Sequence, residues 1–265
     1  MVSHEIIRLP SASALAVLRE AVAARGVASN RGVAVLADPV FDAADERLTV
    51  ARNSNTRGYP EELGLALNEI GEPLPRLAFS RREALAIQSA APAGSVSLNL
   101  DFRANRAFAT SSALSGYRIV HFATHGFVNN AAPELSGIVL SLVDRQGKRQ
   151  DGFLRLHEIY NLHLAADLVV LSACQTAVGN ELSGEGVIGL SRGFLYAGAA
   201  RVMASLWTVD DRATAELMSR FYRKLLSEHM TPSAALRSAQ LEMRQLLRWS
   251  SPYFWAAFEL QGEWK

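Results

Sequence analysis

The chain has 265 residues, enough for one large domain or two small ones, and 49% of it is apolar against 20% charged, which excludes a disordered, collagenous or coiled-coil polypeptide. Twenty-seven basic residues balance 26 acidic ones without forming a long basic run, so nucleic acid finds no electrostatic footprint. The single cysteine, Cys174, excludes an internal disulfide, a cysteine-rich zinc site and a CxxC redox pair, and the most apolar stretch, Gly186 to Leu206, is broken by Arg192 and Arg201 before it could cross a bilayer.

In chain order, the pattern predicts a helix near 13–25, a strand over Gly32–Ala37 and a polar, weakly periodic surface excursion from Asp38 to Pro60. A helix follows at 81–90 with Ser80 as its cap, then a strand at 95–100, a helix at 103–114 and a strand at 117–124. Next come a strand at 137–143, a loop over Asp144–Gly152, a strand at 167–172, a helix at 185–197 and a strand at 201–206. The chain closes with helices at 211–228 and 232–248, the latter capped by Thr231, and a strand at 254–260. Short apolar runs alternating with helical patterns predict an α/β fold around a mostly parallel sheet, and the strands are too uniformly apolar to have a wet face. No linker divides the chain, so residues 1–265 are expected to form one domain. With no basic segment leading into an apolar core at the N-terminus, the expected location is cytoplasmic.

Two strands run directly into reactive side chains, at the end of a parallel sheet where binding crevices form. Arg118-Ile-Val-His-Phe-Ala-Thr-His-Gly126 ends in His125-Gly126, and Asp167-Leu-Val-Val-Leu-Ser-Ala-Cys174 ends in Cys174. Forty-nine positions separate His125 from Cys174, and a histidine roughly fifty residues ahead of an Ala-Cys nucleophile is the caspase spacing. A thiolate attacks a peptide carbonyl, an imidazole ionises the thiol and later protonates the departing amine, and backbone amides hold the oxyanion. The bland reading of Cys174 alone is core filler, since free cysteine is among the most buried residue types.

His121-Phe-Ala-Thr-His-Gly126, Leu171-Ser-Ala-Cys-Gln-Thr176, Gly184-Glu-Gly186 with Gly193-Phe-Leu-Tyr-Ala-Gly198, Ala204-Ser-Leu-Trp-Thr-Val-Asp-Asp211 and Phe254-Trp-Ala-Ala-Phe258 together resemble the CHAT domain, a caspase-like peptidase module. The resemblance implies the caspase-hemoglobinase fold, with helices on both faces of the sheet. It also implies thiol protease chemistry with His125 and Cys174 as the dyad, the amides of Gly126 and Cys174 as the oxyanion hole, and no cofactor or metal. Gln175 stands where many relatives carry an acid. CHAT domains are similar to separases, in which an acid after a Leu-Trp-x-Val segment receives a basic P1 residue. The matching position is Asp211, next to Asp210, and a helix N-cap is the competing role for this pair. Such domains usually follow helical repeats, so the implied partners are a protein substrate and a TPR-like regulatory region on a longer chain from which this domain is excised. A catalytically silent interaction module is the alternative.

Three further patterns compete. Gly184-Glu-Gly-Val-Ile-Gly189 satisfies GxGxxG but does not leave a strand directly. Gly189-Leu-Ser-Arg-Gly193 satisfies GxSxG, with Asp211 and His229 following in hydrolase order, which makes Ser191 a rival nucleophile; its flanks read as helix. His121 and His125 have the i, i+4 spacing of a zinc pair, yet on a strand that spacing is too long for one metal, and His121 reads as a hydrogen-bonded core histidine.

Overall fold

The computed structural model describes residues 4–9, 11–24, 31–48, 64, 74–129, 132, 135–172 and 185–263. In chain order the elements are β1 (Ile7–Arg8), α1 (Ala12–Ala24), β2 (Arg31–Ala37), α2 (Ala78–Ala90), β3 (Val96–Leu100), α3 (Arg106–Ala109), β4 (Tyr117–Ala123), β5 (Gly126–Phe127), β6 (Gly137–Val139) and β7 (Phe153–Arg155). They continue with α4 (Leu156–Tyr160), β8 (Leu168–Leu171), α5 (Glu185–Tyr196), β9 (Arg201–Ser205), α6 (Asp211–Tyr222), α7 (Pro232–Gln245) and β10 (Phe258–Gly262).

Seven strands form the central sheet in the order β1-β10-β9-β8-β4-β2-β3. β3, β2, β4, β8 and β9 are parallel, β10 runs antiparallel to β9, and β1 adds two residues parallel to β10. The chain leaves β2 for β3 on one side and reaches β4 on the other, so the winding direction reverses between β2 and β4. Such a reversal is where open parallel sheets place ligand crevices, at the carboxyl ends of the strands.

Strand periodicity divides the core in two. On one face, Val33, Val35, Val170, Met203 and Leu260 pack under α2, α6 and α7 through Ile87, Leu217, Phe221 and Leu236. On the other, Leu36, Val120, Phe122, Val169 and Val202 pack under α3, α4 and α5 through Ala109, Ile159, Leu190 and Phe194. Mixed α/β architecture with a mostly parallel sheet between two helical layers is thus as expected. Burying such side chains contributes about 1.5–3 kcal/mol each. At the end of α5, Gly198 takes φ +110°, and a Cβ there would lie 2.3 Å from the Leu164 carbonyl, so only glycine makes this turn into β9.

Several elements depart from the sequence pattern. The apolar run at 137–143 is a strand only to Val139; β5, β6 and β7 form a separate antiparallel sheet, and Leu142 instead donates its amide to the Val40 carbonyl at 2.9 Å. The segment 103–114 is broken into the four residues of α3, capped by Asn105, and single turns of 3-10 helix. At 254–260 the aromatic half is turn, and the strand runs from Phe258 to Gly262. Ser80 caps no helix: it lies inside α2, where its hydroxyl accepts the Asp38 amide at 3.0 Å and donates to the Leu77 carbonyl. Asp38–Phe41, the start of the expected surface excursion, is buried; residues 49–60 lie outside the described residues. Thr231 does cap α7, accepting the Ala234 amide.

Candidate active site

β4 and β8 are parallel neighbours in register from Ile119 opposite Leu168 to Phe122 opposite Leu171, and the Ser172 amide continues the ladder to the Phe122 carbonyl at 3.0 Å. The two strands therefore end side by side. β4 leads through Thr124 to His125 and Gly126; β8 leads through Ser172 toward Cys174, which lies outside the described residues together with Gln175.

The backbone around His125 is fixed. Its carbonyl accepts the Val139 amide at 2.8 Å, the Thr124 hydroxyl donates to the Val139 carbonyl, and Gly126 pairs with Ile138 at the start of β5. The ring is buried, 4% exposed, tilted against Phe41 at 5.2 Å between centroids. Nε2 donates to the Pro75 carbonyl at 2.7 Å. A carbonyl can only accept, so this bond fixes the tautomer with its proton on Nε2 and leaves Nδ1 as the basic nitrogen. Burial lowers the imidazole's pKa, the Pro75 bond opposing it in part, which favours a neutral ring at physiological pH.

Asp210 and Asp211 occupy the start of α6. Exposed Asp210 is the N-cap, accepting the Ala213 amide at 2.8 Å. Half-buried Asp211 reaches across to α2, where Oδ2 accepts the Phe79 amide at 2.9 Å. Burial raises its carboxyl to about 6, the Phe79 bond opposing and the charges of Glu83, Asp210 and Asp38 adding.

Sequence reasoning missed a third group. Asp38, directly after β2, is fully buried with φ +49° and meets three guanidiniums: Arg47 at 3.0 Å, Arg76 at 2.9 Å through both Nε and Nη2, and Arg81 at 2.7 Å. Arg76 follows Pro75, so the salt-bridge cluster and the carbonyl that orients His125 share a peptide unit. The sequence signal was Asp38-Pro39 at the end of an apolar strand, which the polar pattern assigns to the start of a surface excursion.

A family model for the CHAT domain matches residues 1–263. The chain belongs to the CHAT domain family. Over 113 residues, or 43% of its length, it is 36% identical to tetratricopeptide repeat protein 28 of Homo sapiens, and over 105 residues, or 40%, it is 36% identical to the protein of that name from Mus musculus. In both cases the match spans only 4% of the curated relative. Among solved structures, the separase–securin complex of Saccharomyces cerevisiae matches with a TM-score of 0.53 at 13% identity, covering 98% of this chain and 14% of that one. The Arg-specific cysteine proteinase gingipain R matches with a TM-score of 0.52 at 9% identity, covering 91% and 49%. At such identities the likeness is one of fold, and that fold is the caspase-like α/β architecture expected from the sequence.

Within this CHAT domain the competing motifs take other roles. Ser191 sits mid-way along α5, fully buried, so it occupies no strand-to-helix elbow, and His229 is exposed beyond the end of α6. β8 ends at Leu171 and α5 starts at Glu185, too far apart for a dinucleotide turn; Gly184 itself lies outside the described residues. His121 belongs to the core: Nδ1 is 2.9 Å from the Tyr222 hydroxyl and Nε2 is 2.7 Å from Glu83 Oε1, all three side chains being buried. Burial, and then the Glu83 charge, push the Tyr222 phenol well above its ordinary range, so it stays a hydroxyl. Among the described residues no cluster of three or more histidine, cysteine, aspartate or glutamate side chains is placed to hold a metal ion, and no helix is long and apolar enough to cross a membrane.

Proposed function

We propose that this CHAT domain is a cysteine-type endopeptidase unit that cleaves protein substrates after arginine or lysine. His125 Nδ1 takes the proton of the Cys174 thiol, and the thiolate attacks the scissile carbonyl carbon. The amides of Gly126 and Cys174 receive the developing oxyanion, and the imidazolium returns its proton to the departing amine. Water, deprotonated by the same nitrogen, then hydrolyses the thioester. Asp211 binds the P1 cation through a charge-assisted contact, and Asp210 adds a second negative charge at the same helix start. The partners are the substrate polypeptide and, by analogy with the tetratricopeptide repeat relatives, a helical-repeat region that governs access.

The observation that carries this reading is the His125 ring, locked by the Pro75 carbonyl with Nδ1 left basic, beside the strand that leads to Cys174. The 4% exposure of that ring favours a second reading, a silent module that only docks partners. Mass mapping with a peptide acyloxymethyl ketone separates them. With arginine at P1, Cys174 is alkylated in the native chain and spared in His125→Ala, while an aspartate ketone reacts poorly. No alkylation of Cys174 in either protein would favour docking alone, and preference for the aspartate reagent would remove Asp211 from the proposal. Cys174→Ala then abolishes cleavage and leaves partner binding intact.

A further inference from the structure

A cavity of about 480 Å³ opens beside the carboxyl ends of β2 and β3, bordered by the Leu100-Asp101-Phe102-Arg103 turn. Five arginines line it: Arg47, Arg76, Arg81, Arg103 and Arg145. Among the described residues, the acids in the wall are Asp101 and Glu46. They are already engaged, Asp101 by Arg47 and Arg81, and Glu46 by Arg76. Even with Asp38 and Asp45 behind the wall, cations remain in excess among the described residues.

Three of these arginines cannot collapse onto a guest or retreat from it. Arg47 is held on Asp45 and Asp101, Arg76 is forked on Asp38, and Arg81 is tied to Asp38 and Asp101. Arg81 makes these bonds through Nε and Nη2, so Nη1 remains without a bond among the described residues. Arg103 and Arg145 are exposed, and among the described residues neither meets a carboxylate. The wall thus combines a rigid cationic base with two unpaired guanidiniums at the rim. Its volume is that of a small-molecule pocket and exceeds what a single inorganic anion fills. It also lies on the side of the sheet where parallel strands present their ligand crevices.

A second arginine-lined pocket, among Phe79, Arg82, Arg212, Arg248 and Trp249, is only about 100 Å³. There Arg212 lies over the Phe79 ring and Arg248 over the Trp249 ring, so two of its three cations already have an aromatic partner.

We infer that the cavity at the ends of β2 and β3 binds a compact polyanion, a ligand with at least two phosphate or carboxylate groups. One anionic group meets the pre-set Arg81 and Arg76, and the outer groups meet Arg103 and Arg145 as bidentate, charge-assisted contacts. The inference is independent of the peptidase reading, because it requires neither Cys174 nor substrate.

Titration calorimetry of the whole chain with tripolyphosphate and with citrate, at an ionic strength of about 0.15 M where exposed charges are screened, tests it. Saturable one-to-one binding is expected for at least one of the two, weakened about tenfold or more in Arg103→Ala/Arg145→Ala through loss of charge-assisted contacts, and unchanged in Arg82→Ala/Arg248→Ala. Tighter binding of tripolyphosphate assigns the site to phosphate chains, and tighter binding of citrate to carboxylates. Absence of saturable binding for both ions, or equal weakening in the two double variants, would overturn the inference. Far-ultraviolet circular dichroism of the variants keeps a folding defect from being read as lost binding.

Discussion

Replacing Asp38 with asparagine removes one charge and keeps the shape, and asparagine tolerates the left-handed φ of +49° that alanine does not. Four short contacts to three guanidiniums lose their acceptor charge: Arg76 at 2.9 Å twice, Arg81 at 2.7 Å and Arg47 at 3.0 Å. Breaking a fully buried ion pair by removing one partner costs about 3–5 kcal/mol. Here the carboxylate is fully buried, but Arg76 and Arg81 are 33% and 34% exposed and can turn part of their charge to water, which reduces the expected loss to about 2–3 kcal/mol. For a chain of this size that corresponds to a fall of roughly 4–6 °C in Tm. Asp38→Ala should lose about 1 kcal/mol more through the strained φ. Urea titrations followed by tryptophan fluorescence measure both. If Asp38→Asn lies within about 0.5 kcal/mol of the native chain, as a change at an ordinary surface site would, the buried carboxylate does not organise these arginines and the reasoning fails.

Asp211→Asn probes pH. A folded-state pKa of about 6, above the ordinary 3.8, means that the folded chain holds this proton more tightly than the unfolded chain. The associated stability is complete below about pH 4 and is lost as pH rises toward and past about 6. The variant should therefore be more stable than the native chain at pH 7, by about 1 kcal/mol once solvent screening of the half-buried carboxylate is discounted, and the gap should close by pH 4 in denaturation curves. In peptidase assays, kcat/KM for P1 arginine should rise with pH through about 6 in the native chain and lose that limb in the variant. Tyr222→Phe strips the hydroxyl from His121 Nδ1, and an unsatisfied buried polar atom costs about 1–3 kcal/mol; an unchanged urea midpoint would refute the pairing. Ser191→Ala removes a buried hydroxyl that lacks a hydrogen-bond partner, so stability should hold or rise by up to about 1 kcal/mol, and peptide cleavage should persist, which a serine hydrolase reading does not allow.

The parallel strands were legible because burial on both faces leaves unbroken apolar runs: the expected 117–124 and 167–172 became Tyr117–Ala123 and Leu168–Leu171. Such runs report burial and not conformation. Leu140–Val143 is as buried as the strand before it, yet it hydrogen-bonds across to Gly152, Ala104 and Val40 instead of extending β6. Residues 103–114 carry helix-forming alanines, but Asn105 caps the start and the Thr110 and Ser111 hydroxyls bind the Arg106 and Phe108 carbonyls, so the helix ends within four residues. At the site, His125 announced itself through its place after a strand. Pro75, its partner, is 50 residues away and acts through a carbonyl, a group every residue carries, so no side-chain pattern could single it out. Asp38 was hidden similarly, since its meaning depends on arginines brought in from α2 and its flanks.

The N-terminal strand has a mechanical consequence. Among the described residues, β10 is paired along its outer edge by Ile7 and Arg8 alone, with Arg8 also reaching Glu259 at 3.1 Å and Arg19 on α1 reaching Glu263. So short a cover is easily peeled away: a pull on the leading segment would detach it before disturbing the interior. The bared hydrogen-bonding row of β10 would then be open to pair with another extended polypeptide, turning tension at one end of the chain into adhesion at the rim of the sheet.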